Sequence, residues 1–153
     1  LEAGKKIALV SDAGTPGVSD PGVMLVARAR AGGARVDAIP GASALTAAFS
    51  IAGISGNSFT FLGFVPLKKG RQTFFRSLPE CGIPVIFCGA PHRIMEALES
   101  LKENIPEDRK VIIARELTKM FEEVVSGSPE EVLQYFIDHP DHIRGEFVVL
   151  IDV

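Results

Sequence analysis

The run of residues 6–10 and the turn Ser11-Asp12-Ala13-Gly14-Thr15-Pro16 after it are the part of the sequence that indicates the fold. A short apolar run that ends in small residues is typical of a strand followed by a loop. A helix should follow, with Asp20 as its cap, Pro21 in its first position and Gly32-Gly33 at its end. Residues 35–39 predict a second strand. The order strand, helix, strand, helix favours a parallel α/β sheet.

The rest of the sequence predicts a second α/β unit. Small and apolar residues at 42–52 indicate a buried helix that ends at Gly53. The pattern Ser128-Pro129-Glu130-Glu131 is a capping box, which predicts the start of another helix. Apolar runs predict strands at 58–64, 84–88, 110–114, 121–125 and 147–151, and helical spacing predicts helices near 72–78 and 94–101. The most natural domain boundary lies between the units 1–54 and 58–153.

The composition indicates a soluble, globular protein. Apolar residues make up 46% and charged residues 23%, and no apolar run approaches the about 18 residues that a membrane helix requires. The chain begins with Leu1 and has no basic-then-apolar leader, so we expect a cytoplasmic protein that does not contact the membrane. Cys81 and Cys88 are too few and too oddly spaced for a disulfide framework or a zinc site, so we expect no metal.

The formal net charge of −3 excludes a general coating of nucleic acid, which needs many Lys and Arg side chains against phosphates. Any contact with nucleic acid must therefore be local. One stretch qualifies, because Lys68, Lys69, Arg71 and Arg76 follow one another without an intervening acid. Such a stretch is either a solvated loop or an RNA contact.

Two turns at predicted strand ends have the residues of a ligand site, since ligands of open α/β sheets bind beyond the carboxyl ends of strands. Gly14 and Gly17 in the turn 11–20 would let the backbone approach a ligand. Ser43 in the turn 40–44 stands at a helix start, where exposed amides suit a carboxylate. Both turns also admit a purely structural interpretation, because neither matches a phosphate loop or a dinucleotide fingerprint.

Other polar residues give weaker indications. His92-Arg93 stands at a predicted helix start, where either a solvated first turn or a catalytic role explains the pair. Arg115-Glu116 ends a strand and is either ligand-facing or a surface ion pair. His139 and His142 stand in a predicted loop and lack partners at metal-ligand spacing.

Six segments in order carry a resemblance that covers nearly the whole chain. They are 11–16 with Ser19-Asp20-Pro21-Gly22, Pro40-Gly41 with Ser43-Ala44, 63–66, Pro91-His92-Arg93, 114–119 and Gly145-Glu146. Together they resemble the tetrapyrrole methylase superfamily, and within it the branch that methylates the 2′-oxygen of a cytidine in small-subunit ribosomal RNA. The resemblance implies an S-adenosylmethionine-dependent enzyme with a partial first α/β domain and a second α/β domain that contains a mixed sheet.

The resemblance also implies a cofactor cleft between the two domains. On the first side, S-adenosylmethionine would contact Asp12, Gly14, Thr15, Val18 and Ser19, with Ser43 and Ala44 near its methionine part. On the second side, the adenine would contact the backbone around Cys88, Gly89, Leu117 and Gly145. A ribose hydroxyl is a weak nucleophile, so a base would help; the candidates are Lys119, His92 and Glu116. The candidate RNA contacts are Lys68, Lys69, Arg71, Arg76 and Arg93.

The sequence departs from the family pattern in two places. The RNA-modifying branch usually has an aromatic residue and a Glu before its Pro-His-Arg-like segment, whereas this chain has Cys88-Gly89-Ala90. The amino-terminal strand and the first cofactor-side loop of the family are not in the sequence. We therefore expect a fragment of a longer enzyme that by itself binds the cofactor poorly or not at all.

Three functions stay open from the sequence. The first is the 2′-O-methylation of ribosomal RNA, and the second is the methylation of a corrin or porphyrin ring or of a protein side chain within the same superfamily. The third, from a different class, is an interaction module that has lost catalysis. The family pattern also implies a homodimer.

Overall fold

A computed structural model describes residues 3–152. Residues 1 and 2 of the first predicted unit and residue 153 of the second lie outside the described residues. The chain forms two compact units, Leu1–Ala44 and Leu45–Val153. The division falls earlier than the interval 54–58 that the sequence suggests. The helix before Gly53 belongs with the second unit because its Ala48 and Ala52 are buried against the sheet of that unit.

The first unit contains one helix, α1 (Val23–Ala31), among its described residues. The predicted strands at 6–10 and 35–39 are wrong, because neither segment pairs with another described strand. Ile7, Val10 and Ile39 are 58%, 81% and 87% exposed. Apolar alternation alone does not hold a strand in place when no neighbour supplies its ladder hydrogen bonds.

The start of α1 also differs from the prediction. Its N-cap is Gly22, with φ of 120° and no side-chain cap, so Asp20 does not cap the helix and Pro21 lies in the turn before it. A Cβ at position 22 would lie 2.6 Å from Leu9 Cδ2, so the leucine packs where only glycine leaves room. The helix ends before Gly32, as predicted.

The second unit alternates helices and strands. Its elements are α2 (Ala44–Ile51, beginning at the last residue of the first unit), β1 (Thr60–Phe64), α3 (Arg71–Ser77), β2 (Val85–Gly89), α4 (Ile94–Asn104), β3 (Val111–Arg115), β4 (Glu123–Gly127), α5 (Pro129–Asp138) and β5 (Phe147–Ile151). Short 3₁₀ turns lie at Leu78–Glu80, Pro91–Arg93 and Pro140–Ile143. The capping box predicted at Ser128 is present, since its side chain accepts from Glu131 N and the Glu131 carboxylate accepts from Ser128 N. None of the helices between residues 3 and 152 is long and apolar enough to cross a membrane.

The five strands form one mixed sheet in the order β1-β2-β5-β3-β4. Only β1 and β2 run parallel; the other three pairs are antiparallel. The mixed sheet predicted for the second domain is thus confirmed, whereas the parallel pairing favoured by the predicted strands at 6–10 and 35–39 does not form, because neither segment is a strand. β3 and β4 pair antiparallel because the connection 116–122 is too short for a crossover to a parallel strand; such a crossover takes about a dozen residues or more.

Both faces of the sheet are covered. One face packs against α3, α4 and α5 through a cluster that includes Phe75, Leu98 and Phe136. The other face packs against α2 through the small residues Ala48 and Ala52. The sheet therefore lies between two helical layers, and only its edges and end loops can present a site.

Candidate functional site

One end of the sheet carries three of the segments that resemble the family, together with Cys88-Gly89, where the sequence departs from the family pattern. Phe64 pairs with Cys88, Gly89 pairs with Phe147, and Phe147 pairs in turn with Arg115. The ends of β1, β2 and β3 therefore lie beside the starts of β4 and β5, and we call this end the carboxyl edge. It gathers the segments 63–66, Cys88-Gly89, 114–119 and Gly145-Glu146.

Glu116 joins two loops of the carboxyl edge. Its Oε1 accepts hydrogen bonds from Lys119 Nζ and from Glu146 N, each at 2.8 Å, while its own N–H donates to Glu146 O at 2.9 Å. Lys119 Nζ also donates to Glu146 Oε2 at 2.9 Å. These contacts, which we call the Glu116 bridge, fix the loop after β3 to the loop before β5.

The bridge requires unusual backbone at both of its ends. Glu116 has φ of 48° and Thr118 has φ of 64°, which is the left-handed region that side chains rarely adopt. Gly145 has φ of 99°, and a Cβ there would lie 2.4 Å from Glu116 Cγ. The carboxylate of Glu116 therefore occupies the space that any side chain at position 145 would need.

The bridge also shifts the pKa values of Glu116 and Lys119. The hydrogen bond from Lys119, followed by that from the Glu146 backbone, lowers the pKa of Glu116. The hydrogen bonds to Glu116 and Glu146 raise the pKa of Lys119. Near neutral pH this pair is an ammonium beside a carboxylate, so Lys119 is better suited to donate a hydrogen bond than to accept a proton.

His92, the third candidate base, lies in the exposed 3₁₀ turn Pro91–Arg93. Its imidazole makes no hydrogen bond with a residue of the described range and does not join the Glu116 bridge. The structure thus brings together two of the three candidate catalytic residues.

The four residues expected near the adenine all lie at the carboxyl edge. Side chains alternate along a strand, so Cys88 points to the same face as Ile86, and Leu117 packs on that same α2 face. The backbone N–H groups of Leu117 and Gly145 donate to no acceptor within residues 3–152. Burial, with a smaller effect of Glu146, raises the pKa of the Cys88 thiol, which keeps it protonated.

In the first unit, one hydrogen bond joins the two predicted cofactor-binding turns. Thr15 Oγ1 donates to Ala42 O at 3.0 Å, which holds the turn 11–20 against the turn 40–44. The first turn is tight, since Val18 N donates to Thr15 O at 3.3 Å and both Gly14 and Ser19 have positive φ. Asp12, Val18 and Ala44 are exposed.

Arg115 is the buried charge of the second unit, with 7% of its surface exposed. Its Nε donates to Arg144 O at 2.7 Å and its Nη1 to Phe121 O at 3.3 Å. Its acidic partner is Glu123, whose Oε2 lies 3.6 Å from Nη1. A surface ion pair between Arg115 and Glu116, one of the two interpretations of the sequence, is therefore wrong.

Glu123 in turn contacts two residues of the α5 region. The Tyr135 hydroxyl donates to Glu123 Oε1, and His142 Nδ1 lies 2.9 Å from Oε2. No sequence pattern indicated this cluster, apart from an arginine at the end of an apolar strand. His139 stacks on Tyr135 with ring centroids 4.3 Å apart. Across the described residues, no group of three or more His, Cys, Asp or Glu side chains is placed to hold a metal ion.

The basic stretch divides into two parts. Arg93 Nη2 donates to Leu67 O at 2.8 Å and lies 3.5 Å from Glu96, while Arg71 Nη2 lies 3.8 Å from the same carboxylate. These two side chains are only 18% and 16% exposed, so they hold the loop after β1 against α4. The remaining candidates, Lys68, Lys69 and Arg76, are exposed.

Solved structures share this fold. The methyltransferase CobJ matches with a TM-score of 0.64 at 22% identity, over 91% of this chain and 61% of that one. The uroporphyrin-III C-methyl transferase from Thermus thermophilus, complexed with S-adenyl homocysteine, matches with a TM-score of 0.56 at 17% identity, over 91% and 62%. The fold is thus that of the methyltransferases that act on tetrapyrroles.

The family model for Tetrapyrrole (Corrin/Porphyrin) Methylases matches residues 1–133, and the chain belongs to this family. The protein named ribosomal RNA small subunit methyltransferase I in Xylella fastidiosa is 43% identical, over 99% of this chain and 56% of that protein. Its namesake in Pseudomonas aeruginosa is 41% identical, over 99% and 54%. The chain therefore spans about half the length of the curated relatives it matches.

Proposed function

We propose that this chain is part of an S-adenosylmethionine-dependent methyltransferase that methylates the 2′-oxygen of a cytidine in small-subunit ribosomal RNA. The observation that carries the proposal is the carboxyl edge, where the backbone N–H groups of Leu117 and Gly145 donate to no acceptor within residues 3–152. The substrate follows from the relatives at 41% and 43% identity, which are named for ribosomal RNA.

The residues present fit the cofactor. Backbone amides and carbonyls can distinguish adenine by hydrogen bonds, and the carboxyl edge offers them at Gly89, Leu117 and Gly145. On the first unit we propose contacts from the turns that Thr15 joins; the residues are Asp12, Gly14, Thr15, Val18, Ser19, Ser43 and Ala44. The bound cofactor would supply an electrophilic methyl group.

The roles of the three polar candidates follow from their contacts. We propose that Lys119, held as an ammonium by Glu116 and Glu146, donates a hydrogen bond that orients the substrate. Glu116 acts through Lys119 as a positioning residue. His92 is the candidate base, because its imidazole nitrogens are not engaged by a described residue.

RNA would be held along the exposed cations of the second unit. Lys68, Lys69 and Arg76 are placed to neutralise phosphates, while Arg71 and Arg93 hold the loop that presents the two lysines. A cytoplasmic location is part of the proposal because the proposed substrate is ribosomal, and a homodimer is part of it because the family pattern implies one. The methylation of a corrin or porphyrin ring is the second candidate, favoured by the fold neighbours, but those share only 12–22% identity with this chain.

The test is methyl transfer from labelled S-adenosylmethionine to undermethylated small ribosomal subunits, with the full-length protein beside this segment. Label in the RNA is the expected result. A Lys119→Ala variant should lose turnover, while Lys110→Ala removes the same charge from an exposed position outside the carboxyl edge and should not. Cofactor binding without labelled RNA would favour the tetrapyrrole or side-chain substrates, and no cofactor binding at full length would favour an inactive interaction module.

A further inference from the structure

The carboxyl edge also contains an open pocket of about 630 Å³ between the loops 116–122 and 139–145. Arg115, Glu123 and His142 line it together with Met120, Phe121 and Arg144, and the lining also contains the carboxylates of Glu116, Glu122 and Asp141. Glu123 and His142 bond to Tyr135 of α5, whose ring packs on the α5 face of the sheet. The pocket, which we call the Phe121 pocket, borders the Glu116 bridge through Glu116 and Gly145, whereas Cys88 and Leu117 lie on the α2 face.

Two carboxylates of the Phe121 pocket are held in place by hydrogen bonds or ion pairs. Glu123 is fixed by Arg115, Tyr135 and His142. The carboxylate of Glu122 accepts a hydrogen bond from Thr118 N at 2.5 Å. The pocket thus has a rigid polar floor, which is what a binding site needs if it is to avoid reorganising when a ligand enters.

The walls of the pocket, in contrast, carry side chains that are not engaged by the rest of the fold. Met120 is 90% exposed and Phe121 is 65% exposed, although both are large and apolar. The guanidinium of Arg144 makes no hydrogen bond or ion pair with a described residue. The exposed ring of Phe121 and the guanidinium of Arg144, which has no partner among the described residues, therefore lie on opposite loops of one pocket.

The two walls are fixed by the same buried group. Arg115 donates to the backbone carbonyl of Phe121 and to that of Arg144. One guanidinium thus sets the positions of the exposed ring and of the exposed cation relative to each other. Burial of a charge is costly unless it is paired, and here Glu123 and the two loop carbonyls supply the partners of Arg115.

We propose that the Phe121 pocket binds one nucleotide of single-stranded RNA, with its base stacked on Phe121 and its phosphate at Arg144. Unstacked bases are recognised by aromatic faces and by polar groups that read their edges, and Glu123 and His142 offer such groups on the floor. The volume lies within the range of about 300–1,000 Å³ that small-molecule sites occupy. This inference rests on the proposed function, which supplies RNA as the substrate.

The test uses the full-length enzyme, with methylation of undermethylated small ribosomal subunits and binding of S-adenosylmethionine measured separately. Phe121→Ala should raise the KM for subunits about tenfold or more, because base stacking on an aromatic ring is lost. Phe121→Trp, which keeps a ring, should retain the wild-type KM within about threefold. The control Ile137→Ala removes an apolar side chain that is also exposed, at 53%, and should leave the KM unchanged.

Arg144→Ala tests the phosphate contact independently. It should raise the KM and reduce the salt dependence of RNA binding by about one in the log–log slope, whereas the matched Lys110→Ala should change neither. The dissociation constant for S-adenosylmethionine should stay unchanged in every variant. Thermal unfolding should also stay unchanged, because the altered side chains are exposed.

Two results would overturn the nucleotide site while leaving the proposed function intact. One is wild-type KM in both Phe121→Ala and Arg144→Ala. The other is a changed sedimentation coefficient in Phe121→Ala at unchanged KM, which would make the pocket a protein contact. A wild-type enzyme that binds the cofactor and methylates no RNA would overturn the proposed function as well, so the failures are distinguishable.

Discussion

At the scale of single residues, Gly145 has a role that its neighbour defines. The Glu116 carboxylate lies where a side chain at position 145 would be, and it accepts a hydrogen bond from the backbone N–H of the next residue, Glu146. The glycine is therefore required for two reasons, its positive φ and the space that Glu116 fills.

We predict that Gly145→Ala destabilises the second unit by about 1–3 kcal/mol, through backbone strain and displacement of Glu116. Urea unfolding measures the effect. Gly82→Ala is the matched control, because a Cβ there meets nothing within 4 Å and its φ is not positive. Equal free energies of unfolding for the two variants would contradict the importance of the bridge.

The pKa of Tyr135 reports on the cluster around Glu123. Its hydrogen bond to Glu123, with burial as a smaller cause, raises its pKa to about 12. The stabilisation that this shift represents is present below the ordinary tyrosine pKa of about 10 and is lost as the pH rises through about 12.

Tyr135 is the only tyrosine in the sequence, so the phenolate absorbance of this chain reports on it alone. We predict a titration midpoint near 12 in the folded chain and a lower midpoint, toward 10, in Glu123→Gln. Circular dichroism at each pH shows whether the chain is still folded. A wild-type midpoint near 10 in the folded chain would mean that the Tyr135–Glu123 hydrogen bond is not formed.

Single residues of the site differed in how well the sequence predicted them. Glu116, Lys119 and Gly145 came from ordered motifs, and the structure brings the three together. The cluster of Arg115, Glu123, Tyr135 and His142 was missed, because its members are scattered along the chain. Arg115 and Glu123 meet through the register of β3 with β4, while Tyr135 and His142 reach Glu123 from α5 and from the turn after it. The residues next to a polar side chain in the sequence do not indicate which distant residue it will contact.

At the scale of elements, the capping box at the start of α5 is the clearest agreement between sequence and structure. Ser128 caps the helix at Glu131 N, and its hydroxyl also contacts Glu107 Oε1 at 2.5 Å. The local pattern determined the helix start because both partners of the box lie within one turn of the chain.

We predict that Ser128→Ala lowers the free energy of unfolding by about 1 kcal/mol, since one helix amide loses its acceptor. Ser128→Thr keeps a hydroxyl that can cap and should lose less than half of that amount. Chemical denaturation of both variants gives the comparison. If the alanine and threonine variants were equally stable, the cap would make no contribution.

Elements that depend on distant neighbours were predicted less well. β5 was predicted with its observed bounds, because five consecutive apolar residues are buried on both faces of the sheet. The segments 6–10 and 35–39 have similar apolar patterns, yet they form no strand in the described part of the chain. A pattern predicts that a segment can pair, and whether a partner exists is a property of the whole chain.

At the scale of the whole molecule, the two units differ in how their backbones are hydrogen-bonded. β2, β3 and β5 are each paired on both sides, whereas 6–10 and 35–39 form no ladder with a described strand. A backbone amide exchanges slowly with solvent when its hydrogen bond opens only as the protein unfolds.

Amide hydrogen exchange of this chain should therefore be slowest in β2, β3 and β5 and fastest in the segments 6–10 and 35–39. The edge strands β1 and β4, each paired on one side, should fall between them and serve as the internal reference. Mass spectrometry of peptic fragments resolves these segments. Protection of 6–10 equal to that of β5 would show that the first unit gains a paired strand in solution.

The buried guanidinium of Arg115 has a consequence for exchanging parts between relatives. Since it holds a carbonyl from each of two loops, an insertion in 116–121 would move one acceptor away and leave a buried donor unsatisfied. The loops after β3 and before β5 therefore cannot vary in length independently. A chimera that transplants 115–123 should fold well only if it takes 142–146 from the same parent.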